Sequence, residues 1–356
     1  MWRSIGVVGV MLAAVLAGCS GGSGDEARRI VILTNVPDPF WDTCEAGANA
    51  AAGELKLAEA GYRVTVEQNT KGVQGQINRL REWAGDPTIA AVAVSVTEPD
   101  NTSLIDAMQA LGDRGIKVIT IDSDVDRDNA AFRKVRHGYI GTDNVVAGRE
   151  LGKAAQALLP DGGKFATFVG VKSQANAIQR DQGFKEGAGP AFEQADFLGD
   201  AVDASKARQN VRDALARTPD LKLLVGLWAY NPPAIADVVA ERKLAETVAV
   251  IGFDAAPLAL AAMDEGRIEA LVVQDPYQMG YLGVKTLKAL LDDDRKSLDE
   301  VFPNYGETDG DVHLTGLKVV VPAETPLTKE LFLEDTEFLP LDEFKAWLAK
   351  YNLSGS

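Results

Sequence analysis

The stretch Ile30-Val31-Ile32-Leu33-Thr34-Asn35-Val36-Pro37-Asp38-Pro39-Phe40-Trp41-Asp42 decides how this chain is read. Its first four residues are aliphatic, mostly β-branched and of strand length. Pro37 and Pro39 then end any ladder, because proline has no N–H to donate and pushes the residue before it towards extended geometry. A helical pattern opens just beyond, through Cys44, Ala48, Ala51, Ala52 and Leu55. Two aromatic rings and a carboxylate are thus expected at the carboxyl end of an inner strand. That is where open α/β sheets bind ligands. The local reading is a seat for something small.

Working outward, short β-branched runs alternate with amphipathic stretches, the pattern of βαβ units on a parallel sheet. Strands are expected over Arg29–Thr34, Tyr62–Gln68, Ile89–Val96 and Lys117–Asp122, with helices over Asp42–Ala60, Val73–Ala84 and Asn101–Arg114. This first α/β series closes near Thr142. A second begins with a helix capped by Asp143-Asn144 and running through Leu159. Strand Lys164–Gly170 follows, then helix Ala175–Ala188, a short strand near Phe197 and helix Ser205–Ala216. Leu221–Leu227 and Val248–Phe253 are near-continuous aliphatic runs, as in strands covered on both faces. The helix between them starts at Pro232-Pro233, and Ala270–Val273 ends the series. Beyond Gln274 come helix Pro276–Leu291, a late strand Leu317–Val321, and an acidic tail whose amphipathic run Leu341–Tyr351 docks on the surface.

The chain of 356 residues has room for roughly two domains. Its net charge of −16 argues against nucleic acid and anionic membrane surfaces as partners. At the start, Arg3 and the apolar run Ile5–Ala17 have the shape of a secretory signal, too short to span a bilayer. Leu16-Ala17-Gly18-Cys19 is similar to a bacterial lipobox. On that reading Cys19 is acylated and becomes the first mature residue, and the following residues to 27 form a flexible tether. Cys44 is then the one remaining thiol, without a partner for a disulfide, and its Ala-rich helical face suggests packing.

Six short motifs in order resemble one family, within a similarity that runs from about Arg29 to Val321. They are Asp38-Pro39-Phe40-Trp41, Ile119-Thr120-Ile121-Asp122, Gly141-Thr142-Asp143-Asn144, Arg180 with Gly183-Phe184, Ile251-Gly252-Phe253-Asp254, and Gln274. The family is the type I sugar-binding proteins of bacterial ABC transporters, of the ribose-binding kind. The resemblance implies an α/β fold of two Rossmann-like lobes, each a parallel-sheet sandwich, joined by a three-crossing hinge and closing on a sugar. By the same resemblance the N-terminal lobe comprises 28–141 plus 275–312 and the C-terminal lobe 142–274 plus 313–323. Residues 1–19 are the signal and lipobox, 20–27 the tether, and 324–356 a C-terminal extension.

A sugar presents hydroxyls around apolar C–H faces, so its site needs flat rings and a rim of carboxylates, guanidinium and amides. Phe40 and Trp41 meet the first need, with Trp228 as a further wall. Asp38, Asp122 and Asp254 become acceptors for hydroxyls, although a carboxylate after a strand can simply cap the next helix. Arg180 offers paired N–H donors, and Gln274 both donates and accepts. Asn231 follows Tyr230 where the family carries an Asn-Asp pair, and Thr34 is a minor contributor. There are departures from the ribose type. Ser123 stands where an arginine is usual, and Ala204-Ser205 where an aromatic is expected, so the second lobe stacks differently.

No cofactor is expected. The turn after the first strand lacks Gly-x-Gly-x-x-Gly, His137 and His313 are too isolated for a metal cluster, and no catalytic triad shows motif spacing. The chain reads as non-enzymatic, and the resemblance implies a monomeric binding protein for a monosaccharide or similar polyol. Its implied partners are an ABC permease with its ATPase and, through Cys19, the membrane of the cell envelope, on its periplasmic or outer side. The alternative is a lipoprotein that presents sugar occupancy to a chemoreceptor or histidine kinase.

Overall fold

The computed structural model describes residues 27–356 together with residues 1 and 2. Residues 3–19 of the signal segment, Cys19 among them, and all of the tether but its last residue lie outside the described residues. Nine elements come first: β1 Arg28–Leu33, α1 Phe40–Glu54, β2 Tyr62–Glu67, α2 Gly72–Trp83, β3 Ile89–Val94, α3 Thr102–Gly112, β4 Lys117–Ile121, α4 Ala130–Arg133 and β5 Tyr139–Gly141. The chain then enters a second series: α5 Asn144–Leu158, β6 Gly163–Val169, α6 Ala175–Ala188, β7 Phe192–Gly199, α7 Ala204–Arg217, β8 Leu221–Gly226, α8 Asn231–Glu241, β9 Ala249–Phe253, α9 Pro257–Asp264 and β10 Ala270–Val273. It returns through α10 Pro276–Leu291, α11 Arg295–Val301 and β11 Val312–Leu314, and finishes with β12 Lys318–Val321, β13 Glu337–Pro340 and α12 Leu341–Lys350.

These strands form two sheets, β11-β5-β4-β3-β1-β2 and β13-β12-β10-β9-β8-β6-β7. The first is parallel throughout, and the second is parallel except where β12 runs against β10. Aliphatic alternation explains why both faces are covered. Ile30 and Ile32 join a core with α1 and α10, while Val31 and Leu33 join another with α2 and α3. In the second sheet Leu223, Val225, Ile251 and Phe253 face α5 and α6, whereas Leu224 and Val250 face α7, α8 and α9. The two-lobe parallel architecture expected from the sequence is present. In each sheet the strand order reverses once near the middle, between β1 and β3 and between β6 and β8. Such reversal points leave a crevice at the strand ends.

The chain passes between the sheets three times. Because β11 pairs with β5, residues 313 and 314 belong to the first sheet, and the third passage falls between Leu314 and Lys318 rather than at 313. Helix α1 also stops short of Ala60, since Glu54 is its last residue and Lys56 adopts a left-handed φ of 49°. Beside the second passage, the buried Lys318 ammonium meets Asp275 at 2.8 Å. Asp275 in turn accepts the Gln278 N–H at the start of α10.

The C-terminal extension is built into the molecule, not merely docked on it. β13 extends the second sheet, and Leu341, Phe344 and Leu348 of α12 are buried in its core. Trp347 lies under the Lys318 ammonium at 4.8 Å. The last residues reach the first lobe as well. Ser356 exchanges backbone hydrogen bonds with Ala255 (2.7 and 3.1 Å), while the Gly355 carbonyl accepts the Thr43 hydroxyl at 2.8 Å. Tyr351 packs on Tyr277 of α10, with ring centres 4.4 Å apart.

Candidate functional site

Between the two sheets lies a cavity with about 410 Å³ of unfilled space, part of it open to solvent. Its wall brings together Asp38, Phe40, Trp41, Asp122, Arg180, Trp228, Asp254 and Gln274, eight of the ten residues expected from the sequence. Thr34 and Asn231 are not among them. The Thr34 hydroxyl accepts the Asn69 N–H at 2.9 Å, inside the first lobe. Asn231 is fully buried, accepting the Trp228 N–H and donating to Asp200. Both side chains spend their hydrogen bonds on holding loops in place.

The turn after β1 delivers the first group. Asp38 accepts the N–H of Phe40, the first residue of α1, at 2.9 Å, and lines the cavity. Phe40 and Trp41 meet edge to face, with centroids 5.1 Å apart and an 81° angle. Trp41 is only 2% exposed and belongs to the first-lobe core, so it supports the fold as well as the cavity.

The other two carboxylates follow strand ends in a shared conformation. Asp122, after β4, has φ 62°, and Asp254, after β9, has φ 63°. Left-handed backbone is uncommon for a side-chain-bearing residue, and it often marks a functional turn. Each residue's N–H continues the ladder to the next strand, to Ile140 and Val272 respectively. Asp122 accepts the Ser95 hydroxyl at 2.7 Å and the Asn35 amide at 3.4 Å. Asp254 accepts the Gln274 amide at 3.0 Å.

Arg180, on α6, is 1% exposed. Its Nε donates to Asn144 Oδ1 at 2.9 Å and its Nη1 to the Leu227 carbonyl at 2.7 Å, while the guanidinium stacks 4.4 Å over Phe253. Asp254 lies 3.7 Å away, an ion pair too long to be a hydrogen bond. The tight α5–α6 crossing holds this arrangement. A Cβ at Gly148 would stand 2.3 Å from the Arg180 carbonyl, so a larger residue there would push Arg180 away from Asn144. Trp228 is set the same way, its ring filling the space where a Cβ on Gly170 would sit.

Sequence reasoning missed Asn35, Val36, Asn176 and Ala229 in the wall. Asn176 had a readable signal, since it sits four residues before Arg180 and therefore on the same helical face. Its Oδ1 accepts the Trp228 indole N–H at 3.3 Å.

Burial dominates the electrostatics. It pushes the Asp38 carboxyl up to about 6, with Asp254 and Asp122 adding repulsion and the Phe40 N–H opposing. Asp122 is likewise pushed up to about 6 by burial, against the pull of Ser95 and Arg180. Asp254 is raised by burial, with Arg180 and Gln274 resisting. Burial lowers the Arg180 guanidinium, which Asp254 and Asp122 partly offset. Gln274 Oε1 is buried and has no partner among the described residues. A group offering several hydroxyl donors would satisfy these acceptors. Cys44 plays no such part, being buried in the first-lobe core with its thiol pushed up by burial.

Residues 29–295 match the model of the periplasmic binding protein domain. The chain is 25% identical over 293 residues to a ribose import binding protein of Haemophilus influenzae, covering 79% of this chain and 92% of that one. It is 24% identical over 298 residues to a D-ribose/D-allose-binding protein of Pseudomonas aeruginosa, covering 79% and 90%. Among solved structures, an ABC transporter solute-binding protein of Burkholderia graminis in complex with D-arabinose is 25% identical, with TM-score 0.70 and coverage of 88% and 99%. One from Agrobacterium vitis with bound D-fucose is 24% identical, with TM-score 0.71 and coverage of 85% and 96%.

Proposed function

The chain belongs to the periplasmic binding protein family, and from that premise we propose that it is the solute-binding component of an ABC importer. It takes a monosaccharide or similar polyol into the cleft between its lobes and delivers it to a membrane permease. One observation carries this reading: three carboxylates, one buried guanidinium, three amides and three aromatic rings converge on a single interlobe cavity. That is the equipment for a ring with polar edges and apolar faces.

Asp38, Asp122 and Asp254 accept hydroxyl hydrogens, while the Arg180 guanidinium and the Gln274 amide engage ring oxygens. Phe40, Trp41 and Trp228 cover the C–H faces. Hydrogen bonds to charged groups contribute roughly 1.5–3 kcal/mol each. Micromolar affinity needs about 8 kcal/mol, so four or five such bonds with stacking suffice after ordering costs. Closing the lobes around the ring removes water from both its faces. In the present conformation the lobes already touch through the Gln174 amide, which donates to the Thr97 carbonyl at 2.9 Å.

Thermal-shift titration with a panel of pentoses, hexoses and polyols tests the reading, because a ligand bound only by the native state raises the melting temperature. At least one sugar is expected to shift it. A flat response across the panel would refute sugar binding. The protein acts as a monomer and performs no catalysis on its cargo. It is exported and held by lipid at Cys19, facing the periplasm or the outside of the plasma membrane. Cys19→Ser is then expected to release it into the soluble fraction on cell fractionation, and persistent membrane association would contradict the anchor.

A further inference from the structure

A second cavity adjoins the first. It has about 1040 Å³ of unfilled space, part of it open to solvent, and Asp122 and Asn176 line both chambers. The loop after β4 forms one side, with Ser123, Asp126 and Arg127, and the start of α6 forms the other, with Ser173 and Ile178. The space exists because of residue size. Ser123 is small, and Arg127 is drawn aside, its guanidinium 5.5 Å over the Tyr139 ring. Two residues in the wall are largely buried, yet each keeps a polar atom without a protein partner. Ser123 is 5% and Asn176 6% exposed, and among the described residues neither the Ser123 hydroxyl nor the Asn176 amide nitrogen has a hydrogen-bond partner.

We propose that the cleft contains a second subsite, and that besides a free monosaccharide it takes a sugar bearing a hydroxylated substituent, such as a second sugar residue. The first ring sits between Trp41, Trp228 and the three aspartates. The substituent passes Asp122 and Asn176 into the adjoining chamber. There the Ser123 hydroxyl and the Asn176 amide receive its oxygens, and the exposed Ile178 side chain offers an apolar face. The charge of the chamber narrows the class. Asp100, Asp122, Asp126 and Asp128 outnumber Arg127, while Asp124 is neutralised by Arg136 at 2.6 Å. A phosphate or carboxylate substituent would be repelled, and a neutral one accepted.

This inference rests on the sugar-binding reading, and the experiment separates the two. Calorimetric titration compares monosaccharides (ribose, arabinose, xylose, glucose, galactose) with neutral disaccharides containing them and with their phosphates. For at least one parent sugar the disaccharide is expected to bind about tenfold tighter or more, and the phosphate more weakly than the parent. Ser123→Arg, which fills the chamber from inside, is expected to cut the disaccharide-to-monosaccharide affinity ratio at least tenfold. Ser173→Trp narrows the chamber from an exposed position and should act in the same direction, which covers the case that an arginine at 123 disturbs folding. Disaccharides that bind no better than their parents, or a ratio that neither substitution changes, would overturn the second subsite and leave sugar binding intact. Binding of no sugar of either size would instead overturn the sugar-binding reading, and the subsite with it.

Discussion

Asp122 and Asp254 hold matching places in the two lobes, yet their surroundings give them different work. Both end an inner strand with a left-handed φ, and both pass their N–H to the neighbouring strand. Asp254 has a guanidinium 3.7 Å away and an amide at 3.0 Å. Asp122 has only a hydroxyl and an amide as direct partners, with Asp38 on the same side of the cavity. The first lobe therefore presents carboxylates held by neutral donors with no cation in contact, whereas the second carries its own counter-charge. The same structural device serves as acceptor surface in one lobe and as a compensated ion pair in the other. A ligand rich in hydroxyls would add donors to the first lobe's carboxylates.

The largest way to break this comparison is to remove the second lobe's cation. Arg180→Met leaves Asp254 buried beside no positive charge, a situation that typically costs about 3–5 kcal/mol. Sugar affinity is expected to fall a hundredfold or more in calorimetry, with a lowered melting temperature. Wild-type affinity in this variant would show that the guanidinium takes no part. Next come the neutral isosteres. Asp122→Asn and Asp254→Asn should each weaken binding roughly ten- to a hundredfold, the loss of one charge-assisted hydrogen bond. Their effects on the ligand-free protein should diverge. Asp122→Asn is expected to raise the melting temperature by relieving a buried charge with no cation in contact, and Asp254→Asn to lower it by removing the nearest counter-charge of Arg180. Shifts of the same sign would erase the distinction between the lobes.

Acid should act on the first lobe in two opposite senses. Asp38 and Asp122 are pushed up to about 6 from an ordinary 3.8. Above pH 6 both are ionised and, in the role proposed for them, accept hydroxyls, so affinity should decline as pH falls through 6. Between about pH 6 and 4 the folded state holds protons that the unfolded chain has released, so these groups add stability as pH is lowered. Glu269, pushed up to about 7 by burial in the second lobe, shifts stability the same way without touching the cavity. Melting and calorimetric titrations across pH 5 to 8 should therefore run in opposite directions, and parallel trends would contradict the assignment. The smallest effect is expected from Thr34→Val, below about threefold in affinity, since its hydroxyl serves Asn69 and not the cavity.

Much of this was legible in the sequence because it is local. The aliphatic runs at Ile30–Leu33 and Leu223–Val225 alternate between two cores, so they announce strands covered on both faces. Residues past runs of this kind, such as Asp38 after β1, Asp122 after β4 and Asp254 after β9, inherit the strand-end position from chain order alone. What stayed hidden depends on distant partners. Nothing near Asn231 shows that its amide nitrogen is committed to Asp200, or that Thr34 serves Asn69. The reach of Gly355 to Thr43 joins residues far apart in the chain, and no local pattern encodes it. The acidic tail read as a surface helix because its periodicity reveals an apolar face, but not the core that face enters. Asn176 lies between these cases, since its spacing from Arg180 was visible while the cavity that gives it meaning was not.

The central claim is that both lobes grip one ligand, and solution X-ray scattering tests it most directly. With a saturating amount of whichever sugar raises the melting temperature, the radius of gyration should fall as the lobes shut on the ring. In Arg180→Met at the same sugar concentration it should not. Superimposable wild-type curves with and without bound sugar would contradict the account.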